Sequence, residues 1–543
     1  MGNFSRKKFI IFILLGIFAI PLINYLYHFI KRVRTRASVA GELKTASYKI
    51  GHLLWKTPFK KITAIHDVNI LIIGSGISGL SAGKELMKNG ETDFVILELE
   101  KTAGGNSRYG ENAAGRYPFG AHYLPLPSTD MHELIDFLKE VHVIKSFSEK
   151  GLPEYDERYL CAAPEDRLYI NGHWQNSLIP NFGLPLKDKQ EIQKFQQQMR
   201  MLKNEKGKDG LYAFALPLIN SSRDAAYIAL DNITMSEYLR REGYGSEYLF
   251  WYVDYCCKDD YGTAVEETSA WAGLHYFCSR RGTASNAGEH DLLTWPEGNG
   301  WLMDKLKKPL ASNIRTDNLV YEVNQKGNSY EVVSLNVATG KAEQWNCNKI
   351  VFACPQFVTA HIRTNIAALK GRAYNLFTYS SWMVGNLWVK NNLKEKGGAP
   401  MAWDNVIYNS PSLGYINSNA QHLHRFQPEI NFTYYYPFDD RQTDRKKLLQ
   451  TNHAEFTNIM LNDMKQVYED LEESIIRYDP FIWGHAMIKP LKGFIWSEEK
   501  QNAARSINKS IYFAHTDLSG ISVFEEGFYQ GIKAVRKLLD EKK

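Results

Sequence analysis

The spacing of apolar positions changes along the chain, and each change marks an element. Residues 70–73, "ILII", form a continuous apolar β-branched run, which predicts a strand buried on both faces. Gly74, Gly76 and Gly79 follow at once. The stretch "LSAGKELMKNG" then places apolar residues at helical spacing and stops at Gly90. Residues 94–97 are a second apolar strand ending at Glu98. From 130 to 290 helical stretches such as "MHELIDFLKEV" and "DKQEIQKFQQQMRML" alternate with loops. Further on, "IRTDNLVYEVNQKGNSYEVVSL" predicts two strands around a Lys326-Gly327-Asn328 turn, and "NKIVFACP" another buried strand. Between 361 and 490 the aromatic alternation of "TYSSWMVGNLWVK", "MAWDNVIYNSPSLGY" and "NFTYYYPFD" predicts strands of a mixed sheet, suited to wall a cavity or to pack a core. The end, "SIYFAHTDLSGISVFEEGFYQGIKAVRKLL", predicts a strand over 511–514, a polar turn and a helix from about Glu526.

This order predicts an α/β protein: a Rossmann-like dinucleotide-binding domain in three pieces, 67–125, 291–360 and 491–543, interleaved with an α+β substrate domain, 126–290 and 361–490. The body is expected to begin near His66, after a basic linker over 31–66. Ahead of it, residues 9–30 are apolar over the length needed to span a bilayer, with Asn24 and His28 as the strongly polar exceptions. Basic residues flank this run on both sides, so it predicts one uncleaved transmembrane helix and a single-pass membrane protein. The flanking charges nearly balance and give no orientation. The preceding "SRKKFI" resembles a twin-arginine export signal, which places the body on the outer, periplasmic side in a bacterium.

Charge alters the picture only after this segment is set aside. The chain of 543 residues has a formal net charge of +5, but residues 1–40 hold seven basic residues and no acid, leaving −2 on the rest. The body therefore offers no electrostatic case for nucleic acid. The six cysteines, Cys161, Cys256, Cys257, Cys278, Cys347 and Cys354, contain no Cys-x-x-Cys pair and make no disulfide framework.

Gly-x-Gly-x-x-Gly alone is a weak signal, but its neighbours here strengthen it. Strand, glycine turn, helix, strand and acid follow in the order of a dinucleotide fingerprint. Gly74 permits the tight turn, Gly76 lets a pyrophosphate approach the backbone, and Gly79 brings helix and strand together. The amides at the helix start, at Ile77 and Ser78, face the phosphates, and Glu98 accepts from a ribose.

Gly104 and Gly105 stand six and seven residues beyond Glu98, and with that extension the stretch resembles the superfamily of flavin-containing amine oxidases, protoporphyrinogen oxidases and phytoene desaturases. Asn106 stands where that superfamily usually carries arginine; the nearest arginine is Arg108. Its Pro-x-Gly-Gly turn is matched in part by "WPEGNGW", with Asn299 at the second glycine's place. Its closing Phe-Ala-Gly-x-acid strand and glycine-containing helix are matched by Asp517, Gly527 and Gly531, with His515 in place of a glycine. The resemblance implies FAD as cofactor, held also through the backbone of Val320 against the adenine and by Asp517 at the ribityl or phosphate. The helix start would face the flavin edge that gains charge on reduction. It implies hydride transfer from a C–N or C–C bond of a small organic substrate. Many members place a lysine beside the flavin on the strand matched by "SSWMVGNLWVK"; here that place falls near Val384. A desaturase, dehydrogenase or isomerase is therefore as open as an oxidase, and a non-catalytic binding protein or an NAD-dependent enzyme remains an alternative.

No catalytic residue is assigned from sequence. Asp254, Asp259 and Asp260 in "YLFWYVDYCCKDDYG" are expected as solvated acids or helix caps, with cation binding or acid–base work as the alternative. Cys256 and Cys257 are expected as buried apolar residues. His422 and His424 are read as loop residues, and no metal site is expected.

Overall fold

A computed structural model of the protein describes residues 39–56, 61–421, 427–439 and 445–541. The apolar run 9–30 lies outside them, as do His422 and His424. Among the described residues no helix is long and apolar enough to cross a membrane.

The apolar run predicted over 70–73 belongs to a longer strand, β1, Ile62–Ile73. Its first half is exposed or half-buried, and its last residues, Ile70 to Ile73, have almost no accessible surface. Helix α1, Ile77–Lys88, follows the glycine turn, and β2, Phe94–Leu97, returns beside β1. Gly90 ends the connection with a φ of 76°, where a side chain is disfavoured. The central sheet sets Ile314–Arg315, β2, β1, Lys341–Phe352 and Ile511–Phe513 side by side, all parallel. An antiparallel meander, Asn318–Lys326 and Ser329–Asn336, extends it beyond Lys341–Phe352. Parallel strands need both faces covered, and α1 supplies one cover.

A second sheet of eight strands is built from the intervening segments. Its centre is β3, Tyr379–Lys390, flanked antiparallel by β4, Glu429–Phe438, and β5, Ile475–Ile488. The far edge is completed by Asp166–Ile170 and His173–Asn176. Lys44–Thr45 pairs in parallel with Phe481 and Ile482 of β5, so residues assigned from sequence to a linker form a strand of this sheet. Lys44 also meets Asp479 at 3.0 Å, and the amide and hydroxyl of Ser47 donate to Glu100 at 2.7 and 2.9 Å. Between the two sheets lies a helical insertion that includes α2, Glu247–Tyr261.

The C-terminal helix α3, Phe524–Asp540, begins two residues before the expected Glu526 and packs along α1. Glycine makes the contact possible. A Cβ at Gly531 would lie 2.1 Å from Ser81 Oγ and 2.2 Å from the Ser78 carbonyl; one at Gly527 would lie 2.5 Å from Ile77 Cγ2. Ser78 Oγ donates to the Gly527 carbonyl at 2.8 Å. The two helices thus touch backbone to backbone, which locks the chain's end onto its nucleotide motif.

Candidate active site

The glycine motif resolves into two different jobs. At Gly74, φ is +103° and a Cβ would meet the Ala353 carbonyl oxygen at 2.6 Å; at Gly79 it would meet the Gly74 carbonyl oxygen at 2.0 Å. Those two close the turn. Gly76 is different: its backbone is extended, and the nearest atom to a Cβ placed there is Gly105 Cα, 4.0 Å away. Gly105, with φ of +55°, faces it in return, its own Cβ position 3.1 Å from Gly76 Cα. Two glycine turns therefore oppose each other across a seam that side chains would fill. Helix α1 starts at this seam, and no side chain caps it. Its first-turn N–H groups, at Ile77 and Ser78 among others, are the donors an anion requires.

Glu98 sits just below. It is 8% exposed, and its carboxylate accepts from the Ser75 amide (2.8 Å), the Ser75 hydroxyl (2.6 Å) and the Glu100 amide (2.8 Å). The acid thereby braces the turn. Gly104 leads into this second turn at φ of +135°. Arg108 bonds the Gly105 carbonyl (3.1 Å) and pairs with Glu100 (3.0 Å). Val320 is buried in the meander, immediately before an irregularity in its ladder. Neighbouring Asn318 donates its amide to the Glu98 carbonyl at 2.7 Å, which sets this strand beside the acid.

Asp517 is buried and densely bonded. It accepts from the Tyr379 hydroxyl (2.6 Å) and the Gln356 amide (2.7 Å), and His515 Nδ1 lies 2.9 Å from its other oxygen. Burial pushes its carboxyl up, but His515, Tyr379 and Gln356 outweigh that and hold it below the usual carboxylate value. His515, a departure from the resembling pattern, thus serves as the partner of Asp517. Gly527 lies in the contact between α3 and α1, which explains its glycine without a ligand.

Asn106 reaches the other end of the site. Its side-chain amide donates to the Ala486 carbonyl at 2.6 Å, and it lines a cavity of about 820 Å³, part of it open to solvent. The cavity lies where three parts meet: the turn around Asn106 and Gly120, the start of α3 from Ser522 to Glu525, and the aromatic face of the second sheet. That face follows strand periodicity. Trp382 and Val384 alternate inward on β3, Tyr435 sits beside Val384 on β4, and Trp483 sits beside Trp382 on β5. Among the described residues no lysine lines the cavity, and Lys390 is exposed at the end of β3.

The fourth wall corrects the reading of the aspartates. Asp254, expected as a solvated acid or helix cap, sits within α2, where it accepts from the Val265 amide of the following loop at 2.9 Å and pairs with Lys258. Asp259 and Asp260, expected as solvated acids or caps, instead face the cavity. Tyr123 donates its hydroxyl to Asp259 Oδ2 at 3.0 Å, and Arg280 bonds both oxygens of Asp260 at 3.0 Å. Asp259 is half-buried at the cavity wall. That burial and the charge of Asp260 push it up to about 7. Burial likewise raises Glu525 to about 7. His122, also on the wall, is lowered to about 4 by burial and is neutral at physiological pH. Sequence reasoning did not find Tyr123, His122, Arg280 or Glu525. They converge from three distant segments, around residues 122–123, 280 and 525, and no short sequence pattern joins these segments.

All six cysteines are free, and Cys256 and Cys257 are buried as expected. Among the described residues no group of three or more metal-ligating side chains occurs.

Residues 72–141 match the family described as the NAD(P)-binding Rossmann-like domain. Among curated proteins no sequence matches the chain. Solved structures match over nearly the whole body. Putrescine oxidase bound to putrescine superposes with a TM-score of 0.63 at 12% identity, over 88% of this chain and 100% of that one. Cyclohexylamine oxidase from Brevibacterium oxydans IH-35A gives 0.62 at 13% identity, over 88% and 99%. A fatty acid isomerase from P. acnes that produces CLA gives 0.58 at 15% identity, over 86% and 98%. At such identities the likeness is one of fold: the chain shares the mixed α/β architecture of these solved structures, and residues 72–141 carry the Rossmann-like match.

Proposed function

We propose that the protein is an FAD-dependent oxidoreductase that takes a hydride from a C–N or C–C bond of a small organic substrate bound in the aromatic-walled cavity. The observation that carries this reading is the seam between Gly76 and Gly105, continued at Asn106 by the cavity beneath the start of α3. In this reading Ile77 and Ser78 amides hold the pyrophosphate, Glu98 and the Val320 segment the adenosine, and Asp517 with Gly104 and Gly105 the middle of the cofactor. FAD would supply the two-electron chemistry. The chain's own residues enclose the substrate: Trp382, Tyr435 and Trp483 exclude water and fix its orientation, and the uncapped start of α3 favours negative charge in front of it. The similar structures named for putrescine and cyclohexylamine support an organic amine among the compounds to try.

A second reading is isomerisation or desaturation on the same fold. It is favoured by Val384, which occupies the inward position of β3 where many resembling proteins carry lysine, and by the likeness to a fatty acid isomerase. The test is direct. The purified protein is extracted for its cofactor and then mixed anaerobically with primary amines, alcohols, and unsaturated fatty acids while flavin absorbance is followed. Bleaching by an amine or alcohol supports the first reading; conversion of a fatty acid without net bleaching supports the second. A colourless protein that takes up no FAD refutes both.

A further inference from the structure

Asp259 and Asp260 are adjacent in sequence but differ in surroundings. Asp260 is committed: Arg280 Nη2 bonds both its oxygens. Asp259, which lines the cavity, accepts from the Tyr123 hydroxyl at Oδ2, and among the described residues no side chain bonds its Oδ1. An independent feature marks the same spot as a place for a ligand. Asn299, a residue of the cavity lining and 1% exposed, donates its side-chain amide to the Tyr123 carbonyl at 2.8 Å, yet its buried Oδ1 has no hydrogen-bond partner. A buried amide oxygen left unbonded is destabilising unless a ligand donor meets it.

We propose that Asp259 is the proton-exchanging catalytic residue of the cavity, taking the O–H or N–H proton of a substrate anchored by Asn299 Oδ1 as the neighbouring C–H bond is oxidised. This rests on the oxidoreductase reading above. The step balances: the C–H electron pair leaves as hydride to the two-electron acceptor, the flavin of that reading. The O–H or N–H pair closes the C=O or C=N bond, and the proton ends on Asp259 Oδ1. Asp260 and Arg280 supply a fixed, nearly neutral backing.

The surroundings suit a group that must both take and release a proton. Asp259 titrates near neutrality, at about 7, because burial and Asp260 raise it while the Tyr123 hydroxyl and Arg280 restrain the rise. An efficient acid–base group has its pKa near the working pH. From its own helix Asp260, Tyr255 and Cys256 bear on it; from other elements Arg280, Tyr276, Asp404, Tyr435 and Tyr123 do. Burial and these acids raise every one of the facing phenols and the thiol further, so none of them competes for the proton near pH 7.

The proton itself can be observed. Infrared difference spectra of the flavin-loaded full chain, recorded across about pH 5 to 9, should show a protonated carboxyl band that titrates near neutrality. Glu525, raised on the same wall, contributes to this absorbance as well; Asp259→Asn should therefore remove one component of it and leave the rest, and Tyr123→Phe should move that component's midpoint upward, because the carboxylate loses its donor. Identical difference spectra in wild type and Asp259→Asn overturn the proposal. In parallel, the amine or alcohol found to bleach the flavin is mixed with Asp259→Asn and Asp259→Glu. The asparagine variant should reduce at least about 100-fold more slowly with unchanged flavin content, and glutamate should restore part of the rate. Equal rates refute this proposal alone. A protein that holds no flavin refutes the oxidoreductase reading, and the role of Asp259 falls with it.

Discussion

Replacing Gly76 should separate folding from cofactor binding, and the expected sizes follow from the geometry. In the empty protein, alanine at 76 meets nothing closer than Gly105 Cα at 4.0 Å, and the backbone there, φ −67° and ψ −173°, suits any residue. Losing glycine's freedom in the unfolded chain stabilises by about 0.4–1 kcal/mol. Losing glycine as N-cap costs up to about 1 kcal/mol. The two nearly cancel, so Gly76→Ala should leave the melting temperature of the cofactor-free protein within about 2 °C of wild type. The same methyl fills the seam. Overpacking a contact by one carbon costs about 1–3 kcal/mol, which weakens FAD binding roughly 5- to 150-fold, and Gly76→Leu should abolish it. Gly79→Ala is the control. Its Cβ falls 2.0 Å from the Gly74 carbonyl oxygen, a backbone atom that cannot swing aside, so this variant should lose more than about 3 kcal/mol with or without cofactor. The assay is visible absorbance per mole of purified protein, with thermal melts before and after adding FAD. A Gly76→Leu protein with full flavin content refutes the placement of the pyrophosphate. Apoprotein melting as low in Gly76→Ala as in Gly79→Ala refutes the division of roles between the glycines.

Three further outcomes are expected. Asp517→Asn should cost about 3–5 kcal/mol at neutral pH, since it breaks a buried, charge-assisted network. Because the folded carboxyl is held below its ordinary value, that stabilisation is complete above the ordinary carboxylate range and is lost only as pH falls through the lowered value, so chemical-denaturation curves should show a constant gap between about pH 5 and 7. Asp259 has the opposite sign: its folded value is raised from 3.8 to about 7, so the cost of ionising it grows as pH climbs between the two and then levels. The melting temperature of Asp259→Asn relative to wild type should therefore rise from pH 4 to pH 7 and stay flat above; a difference independent of pH refutes the desolvated carboxyl. Removing residues 1–36 should release a folded protein from the membrane fraction, because the contacts of Lys44 and Ser47 with the body are kept; a truncated protein that remains with the membrane while folded refutes 9–30 as its anchor.

Features written in short stretches of sequence were legible. The run 70–73, the glycine turn, the helix ending before Gly90 and the strand Phe94–Leu97 are each fixed by their own few residues, and they stand where the pattern put them. The aromatic alternation of β3 and β4 left a cavity wall and a packed core both open, and the strands do both: Trp382, Val384 and Tyr435 line the cavity while Met383, Leu387 and Tyr434 pack a core on the other face. Legibility ended where a role depends on a distant partner. Asp259 looks like an exposed acid late in a helix until Tyr123, 136 residues away, is seen donating to it. Gly527 carries a motif glycine's signature, yet what demands glycine there is Ile77 of α1, 2.5 Å from where a Cβ would stand. Lys44 and Thr45 sit in a basic stretch with no strand pattern, and only the open edge of β5 gives them a strand's geometry.

This division of labour bears on why the cavity sits where it does. The nucleotide sheet and α3 are tied together through glycine contacts at Gly527 and Gly531 that tolerate almost no change. Their products are generic: a seam lined with amides and a helix start. The titratable groups come from elsewhere, Asp259 and Asp260 from α2, Arg280 from the loop after the next helix, Tyr123 from a short strand beyond the second glycine turn. On the proposed reading, a substitution in the insertion would alter which proton is moved, and on which substrate, without disturbing the glycine seam. Structures with this frame that are named for amine oxidation and for fatty acid isomerisation are what such a separation permits. Within this chain, the residues that decide its own reaction should be sought on α2 and the aromatic face of β3 to β5 rather than in the motif by which the fold is recognised.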